Sequence, residues 1–165
     1  MPDFTKQTVL ILGGFLINPN SYNLLTRWLK DKEGINAHIV QVNKLEWLLT
    51  AWGFGWVNIL DKVDRHAKEL AELSKTKKIT LIGHSSGGVM LRIYLSDKNF
   101  LGRIYNGKLV ANTLITLGSP HQAAKATKLR ALVDNLVPGS YYNNEVKYYS
   151  IGGSLNLTGN IAKKL

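Results

Sequence analysis

The sequence predicts an α/β protein: a mostly parallel central sheet with helices packed on both faces. Three observations carry this. Short apolar runs of strand length alternate with longer segments whose apolar residues recur at helical spacing. Gly, Ser and His residues collect just after the apolar runs, where the turns of such a fold gather. Hydrophobic residues make up 45% and charged residues 19% of the 165, a composition suited to one globular domain over 1–165.

The elements follow in order. Thr8 to Leu12 is a short apolar run stopped by Gly13-Gly14 and reads as a buried strand. Ser21 to Lys32 places Leu24, Leu25, Trp28 and Leu29 at helical spacing, with Gly34 as its stop. Ala37 to Val42 reads as the second strand. Asn58 to Ser74 reads as a helix, with Ile59, Val63, Leu70 and Leu73 near one face and charges on the other. Ile79 to Ile82 is the third strand, followed by a helix from about Ser86 to Leu95. Val110 to Leu117 is the fourth strand, and Ala123 to Leu136 an amphipathic helix through Leu129, Leu132, Val133 and Leu136. Pro138-Gly139 makes a turn before a fifth strand, Val146 to Ile151. Crossovers in such sheets are right-handed, and sites form at the carboxyl ends of the strands.

Composition excludes several classes. There is no cysteine, hence no disulfide framework, thiol nucleophile or Cys-based zinc site. The four histidines have no metal-ligand spacing, so no metal and no cofactor are expected. The first residues lack a signal-peptide core and no apolar run reaches membrane-spanning length, which reads as a soluble, cytoplasmic chain. The formal net charge is +10, but the cations are spread over several segments and no aromatic–basic motif accompanies them. That argues for solvated faces and against nucleic acid, and leaves attraction to an anionic membrane surface open.

The segment Gly83-His84-Ser85-Ser86-Gly87-Gly88 fits G-x-S-x-G between an expected strand and an expected helix. A serine in so sharp a turn is held in a strained backbone that lifts its hydroxyl into the cleft. Ser85 is thus the candidate nucleophile. The amide of Ser86, at the helix N-terminus, is a candidate oxyanion donor. A phosphate loop would want a lysine after the glycines, and none follows. The second oxyanion donor should come from the loop after the first strand, where the amide of Phe15 is favoured and Leu16 stands next.

Three blocks together resemble the lipase/esterase-like branch of the α/β-hydrolase superfamily, in particular the lipase domains like that of GPI inositol-deacylase. They are the strand-Gly13-Gly14-Phe15 start, the Gly83–Gly88 elbow, and Leu117-Gly118-Ser119-Pro120-His121. The likeness runs on to Gly152-Gly153. It implies a minimal α/β-hydrolase fold and acyl-transfer chemistry on carboxylic esters, with small-molecule or lipid esters as substrates. It also implies an acidic residue after the last strand and a histidine beyond it. This chain has no acidic residue after Glu145 and no histidine after His121. Three readings follow: a fragment or a homologue shortened at its C-terminus, lacking the usual last strand and helix; another residue as base; or a second chain that completes the site.

A serine hydroxyl needs a base within reach. His121 is the candidate substitute base, since it follows the strand beside the elbow strand; a structural role in the Ser-Pro-His turn is the alternative. Asp134 is the candidate acid, with Asp97 next. His84 is expected to pack beneath the elbow or line the pocket, and His38 and His66 to be structural or solvated. The run from Glu46 to Trp56 is expected to form a loop on the catalytic edge. There Trp52 and Trp56, with Leu16, are candidate substrate-binding residues, a core role being equally open. The last strand is expected to be an exposed edge through which two copies could pair.

The sequence therefore reads as a serine hydrolase of lipase/esterase type. The competing reading is a catalytically impaired homologue that acts as a binding module.

Overall fold

Val9–Leu12 forms β1, four consecutive buried residues at the heart of the sheet. Alternate side chains enter opposite layers, as the two-residue period of a strand requires. Leu10 and Leu12 join the larger core with Leu81 of β3 (Ile79–His84), whereas Val9 and Ile11 join a smaller cluster with Tyr22, Ile35 and Ile82. The computed structural model describes residues 7–122 and 127–153.

The five strands are all parallel, in the order β2-β1-β3-β4-β5, with β2 at Ala37–Ile39, β4 at Ala111–Leu117 and β5 at Lys147–Ile151. Parallel pairing throughout demands a crossover between neighbours, which is why helical and strand periods alternate in the sequence. Helix α1 (Asn23–Glu33) packs Leu25 and Leu29 against the smaller cluster. It stops at Gly34, whose φ of +66° puts it in the left-handed region while its N–H reaches back to Leu29 and Lys30 carbonyls. On the other face lie α3 (Gly53–Leu73), α4 (Ser86–Tyr94) and α5 (Lys128–Leu136), which bury Ile59, Leu60 and Val63, then Val89, Met90 and Ile93, then Val133. Helices therefore cover both faces, as expected, and β5 forms one edge of the sheet with four of its five residues exposed.

Three boundaries differ from expectation by three residues or more. The second strand ends at Ile39 rather than Val42. Val40 still donates its N–H to Ile11 O at 2.9 Å, and Val40 and Val42 stay buried. The expected loop from Glu46 to Trp56 is largely helical: α2 covers Lys44–Leu48, a 3-10 turn covers Leu49–Ala51, and α3 begins at Gly53. The signal for α2 was present in the sequence. Asn43 and Glu46 form a capping box, each side chain bonding the other residue's N–H at 3.0 and 2.9 Å. The helix expected from Ala123 is observed from Lys128, capped by the Thr127 hydroxyl, and 123–126 lie outside the described residues.

Candidate functional site

β3 and α4 meet at Ser85, and the chain there has no slack. Ser85 adopts φ 51° and ψ −123°, a conformation L-residues with a side chain rarely take. The turn is pinned at both ends: Ser85 N–H donates to Leu117 O at 2.9 Å, and Gly88 N–H donates to Ser85 O at 3.1 Å. The glycines around it are required by contact. A Cβ on Gly83 would lie 2.3 Å from the Gly88 Cα, and one on Gly87 would lie 2.4 Å from the carbonyl oxygens of Leu12 and Gly13. So α4 can start directly over the end of β1 only because no side chain intervenes. The sequence pattern and the local geometry share this one cause.

Ser86 follows at the first turn of α4, where backbone N–H groups lack intrahelical partners and favour negative charge. Facing it is the loop after β1. Phe15 is about half-exposed and meets the Trp47 ring edge-on, with centroids 6.1 Å apart. Leu16, at φ 60°, turns its side chain onto the core. The loop is tied down by Tyr22, whose hydroxyl accepts the Gly14 N–H at 2.9 Å and lies 2.8 Å from His84 Nδ1. Burial pushes the Tyr22 phenol above its ordinary pKa, so it stays protonated. His84 thus supports the loop from beside the elbow.

A pocket of about 310 Å³ opens between these parts, with Phe15, Trp47, Trp56, Ser86, Val89 and Met90 on its wall. Trp56 is in that wall and buried, its indole N–H held by Thr50 O at 3.1 Å. Trp52 instead is 58% exposed and stacks on Phe54, with centroids 6.2 Å apart. Leu16 and Trp52 are not among the residues lining this pocket.

His121 occupies other surroundings. Its Nε2 is 2.9 Å from Thr116 Oγ1, its Nδ1 is 3.5 Å from Arg92 Nη1, and it lines a separate pocket with Tyr148 and Tyr149. The positive guanidinium facing Nδ1 favours the tautomer with the ring proton on Nε2, toward Thr116. Burial, then the cations of Arg92 and Arg130, hold the His121 pKa below its usual value. Asp134 pairs with Arg92 at 3.0 Å and Arg130 at 3.5 Å, while Asp97 accepts from Tyr142 and pairs with Lys108 at 3.1 Å. The structure therefore brings Ser86, Phe15 and Trp56 to one pocket, with Ser85 next to it in the chain but not on the pocket wall, and engages His121, Asp134 and Asp97 elsewhere.

Sequence reasoning missed Tyr22, Arg92 and Arg130. Arg92 carried a signal, a lone cation inside the apolar run Met90-Leu91-Arg92-Ile93. Arg130 carried a weaker one, the i, i+4 spacing to Asp134. Among the described residues, no group of three or more His, Asp or Glu is placed to hold a metal ion, and no helix is long and apolar enough to cross a membrane.

A family model described as palmitoyl protein thioesterase matches residues 8–153. The GPI inositol-deacylase of Kluyveromyces lactis is 33% identical over 91 residues, 48% of this chain; the match spans 9% of that relative's length. Among solved structures, an acetylxylan esterase superposes with a TM-score of 0.54 at 13% identity, covering 87% of this chain and 81% of the other. Lysin B of a mycobacteriophage gives 0.55 at 12% identity, covering 88% and 63%. At such identities these structures establish the α/β-hydrolase fold alone, and the family match covers nearly all of the described residues.

Proposed function

The chain belongs to the palmitoyl protein thioesterase family, and from that premise we propose that it is a serine hydrolase that cleaves carboxylic esters and thioesters through Ser85. The observation that carries this reading is the backbone of Ser85, at φ 51° and ψ −123° on the β3–α4 turn. A strained serine beside an apolar pocket has a reason to persist when its hydroxyl does chemistry. Ser85 Oγ attacks the acyl carbonyl, and the carbonyl electron pair moves onto oxygen. The N–H groups of Ser86 and Phe15 receive that oxyanion. Collapse expels the alkoxide or thiolate, which takes up a proton, and water then releases the acid from Ser85. The acyl group lies along Trp47, Trp56 and Met90.

The proton on Ser85 needs an acceptor. His121, bonded to Thr116 in a separate pocket, is not placed to be it, and oxyanion stabilisation carries the rate among the described residues. Such donors, with binding, leave about 10³–10⁴-fold over the uncatalysed reaction. The same engagement of His121 favours a second reading, an acyl-binding module with little turnover. One experiment separates the two. The hydrolase reading expects a fluorophosphonate to label Ser85 and p-nitrophenyl butyrate to be hydrolysed, with both lost in Ser85→Ala. An unlabelled Ser85 that is dispensable for turnover leaves the binding module.

A further inference from the structure

Arg130 is 8% exposed, lines the pocket beside Ser86, and keeps Nε and Nη2 buried without a hydrogen-bond partner among the described residues. Its surroundings explain why it is spare. Among the described residues, Arg92 and Arg130 share a single carboxylate within 4 Å, that of Asp134. Arg92 takes the better part of it: Nη1 donates to Oδ1 at 3.0 Å, and Nη2 donates to Val137 O. Arg130 Nε is left 3.5 Å from Oδ2, outside good hydrogen-bond geometry. His121 does not alter the balance, because its depressed pKa keeps it neutral at pH 7. Two guanidiniums against one carboxylate leave one positive charge uncompensated beside an apolar pocket. A charge so placed is costly unless paired.

The pocket supplies what the charge lacks. Its wall is mostly apolar, and its polar lining includes Arg130, Thr127 and Ser86, the last at the positive end of α4. A neutral acyl chain would leave Arg130 with only its 3.5 Å approach to a carboxylate that Arg92 already holds. We infer that the pocket binds an amphiphile carrying an anionic group, a phosphate or a carboxylate, which pairs with Arg130 while its hydrocarbon packs on Trp47 and Trp56. This rests on the reading of the same pocket as the acyl site and narrows its substrates to esters or thioesters bearing such an anion.

The test reads binding, not turnover. Trp47 and Trp56 line the pocket, so ligand affinity is followed by tryptophan fluorescence in the Ser85→Ala chain, with decyl phosphate, decanoate, decanol and inorganic phosphate as probes. Decyl phosphate or decanoate should bind at least tenfold more tightly than both decanol and inorganic phosphate, and the better of the two tells phosphate from carboxylate. In Arg130→Met the advantage over decanol should fall to twofold or less, while Arg130→Lys, which keeps the charge, should retain part of it. Equal affinities for decanol and the anionic probes, or a preference that survives Arg130→Met, overturns the inference. If Arg130→Met fails to fold, loss of the preference in Arg130→Gln serves in its place. An unlabelled Ser85 that is dispensable for turnover would end the hydrolase reading and leave this binding result intact.

Discussion

The hydroxyl of Tyr22 lies 2.8 Å from Nδ1 of His84, joining the start of α1 to the residue that precedes Ser85. The same oxygen accepts the buried N–H of Gly14, so one side chain holds the loop that carries Phe15 against the elbow. Removing that oxygen leaves a buried donor and a ring nitrogen unmatched. Tyr22→Phe should therefore cost about 2 kcal/mol of stability, read by urea unfolding. If Phe15 serves the oxyanion, fluorophosphonate labelling should slow as well. A variant as stable as the wild type would show that water replaces the phenol at no cost.

Asp134 bridges two nearly buried guanidiniums, Arg92 at 3% exposure and Arg130 at 8%. Asp134→Asn removes the only carboxylate either has among the described residues. The loss should be about 3 kcal/mol, the low end for a broken buried pair because Asp134 is itself a third exposed. Equilibrium unfolding checks this, and a change under about 1 kcal/mol would mean that the cluster is solvated.

These two clusters show where sequence reading stops. The strands and helices, the mostly parallel sheet and the elbow follow from local patterns, because apolar alternation and glycine spacing act over a few residues. The Gly83 and Gly87 contacts are of that kind. Pairings such as Tyr22 with His84, or Arg92 with Asp134, span 62 and 42 residues and arise only when the sheet forms. His121 illustrates the difference. Its place after β4 was legible, yet its partners Thr116 and Arg92 depend on how α4 faces the sheet. The run from Glu46 to Trp56 shows the converse: its aromatics and glycines after a strand suggest a loop, whereas the Asn43–Glu46 capping box sets a helix.

His121 also makes stability depend on pH. Burial and two nearby arginines hold its folded pKa below the unfolded value, so the unfolded chain binds the extra proton first. The contribution is therefore present above about pH 6.5 and is lost as pH falls from there through the folded pKa. The urea midpoint should drop between pH 7.5 and pH 5, and His121→Gln should flatten that part of the drop. Parallel curves for the two proteins would exclude His121 as its source.

Two glycine substitutions separate contact from conformation. Gly87→Ala drives a methyl into the Leu12 and Gly13 carbonyl oxygens, an overlap of backbone with backbone that no rotamer relieves. It should cost about 3 kcal/mol or more. Gly34→Ala meets nothing within 4 Å and pays only for φ +66°, about 1–2 kcal/mol. Thermal melts should rank the two in that order, and the reverse order would mean that the β1–α4 contact is looser than described.

The strain at Ser85 leads to a last prediction, in which stability and chemistry move in opposite directions. At φ 51° a serine pays for its side chain, whereas glycine adopts the same backbone freely. Ser85→Gly should release part of that strain. Glycine also makes the unfolded chain more flexible, so the net gain should be about 1 kcal/mol. Ser85→Ala keeps a Cβ in the strained conformation and should gain less. Both variants lose the hydroxyl, so both should lose fluorophosphonate labelling. Unfolding curves for the three proteins then decide the matter: Ser85→Gly the most stable and unlabelled marks strain held for a reactive side chain. Ser85→Gly no more stable than Ser85→Ala would mean that the turn stores nothing, and that glycine contacts around it, rather than the serine, dictate its shape.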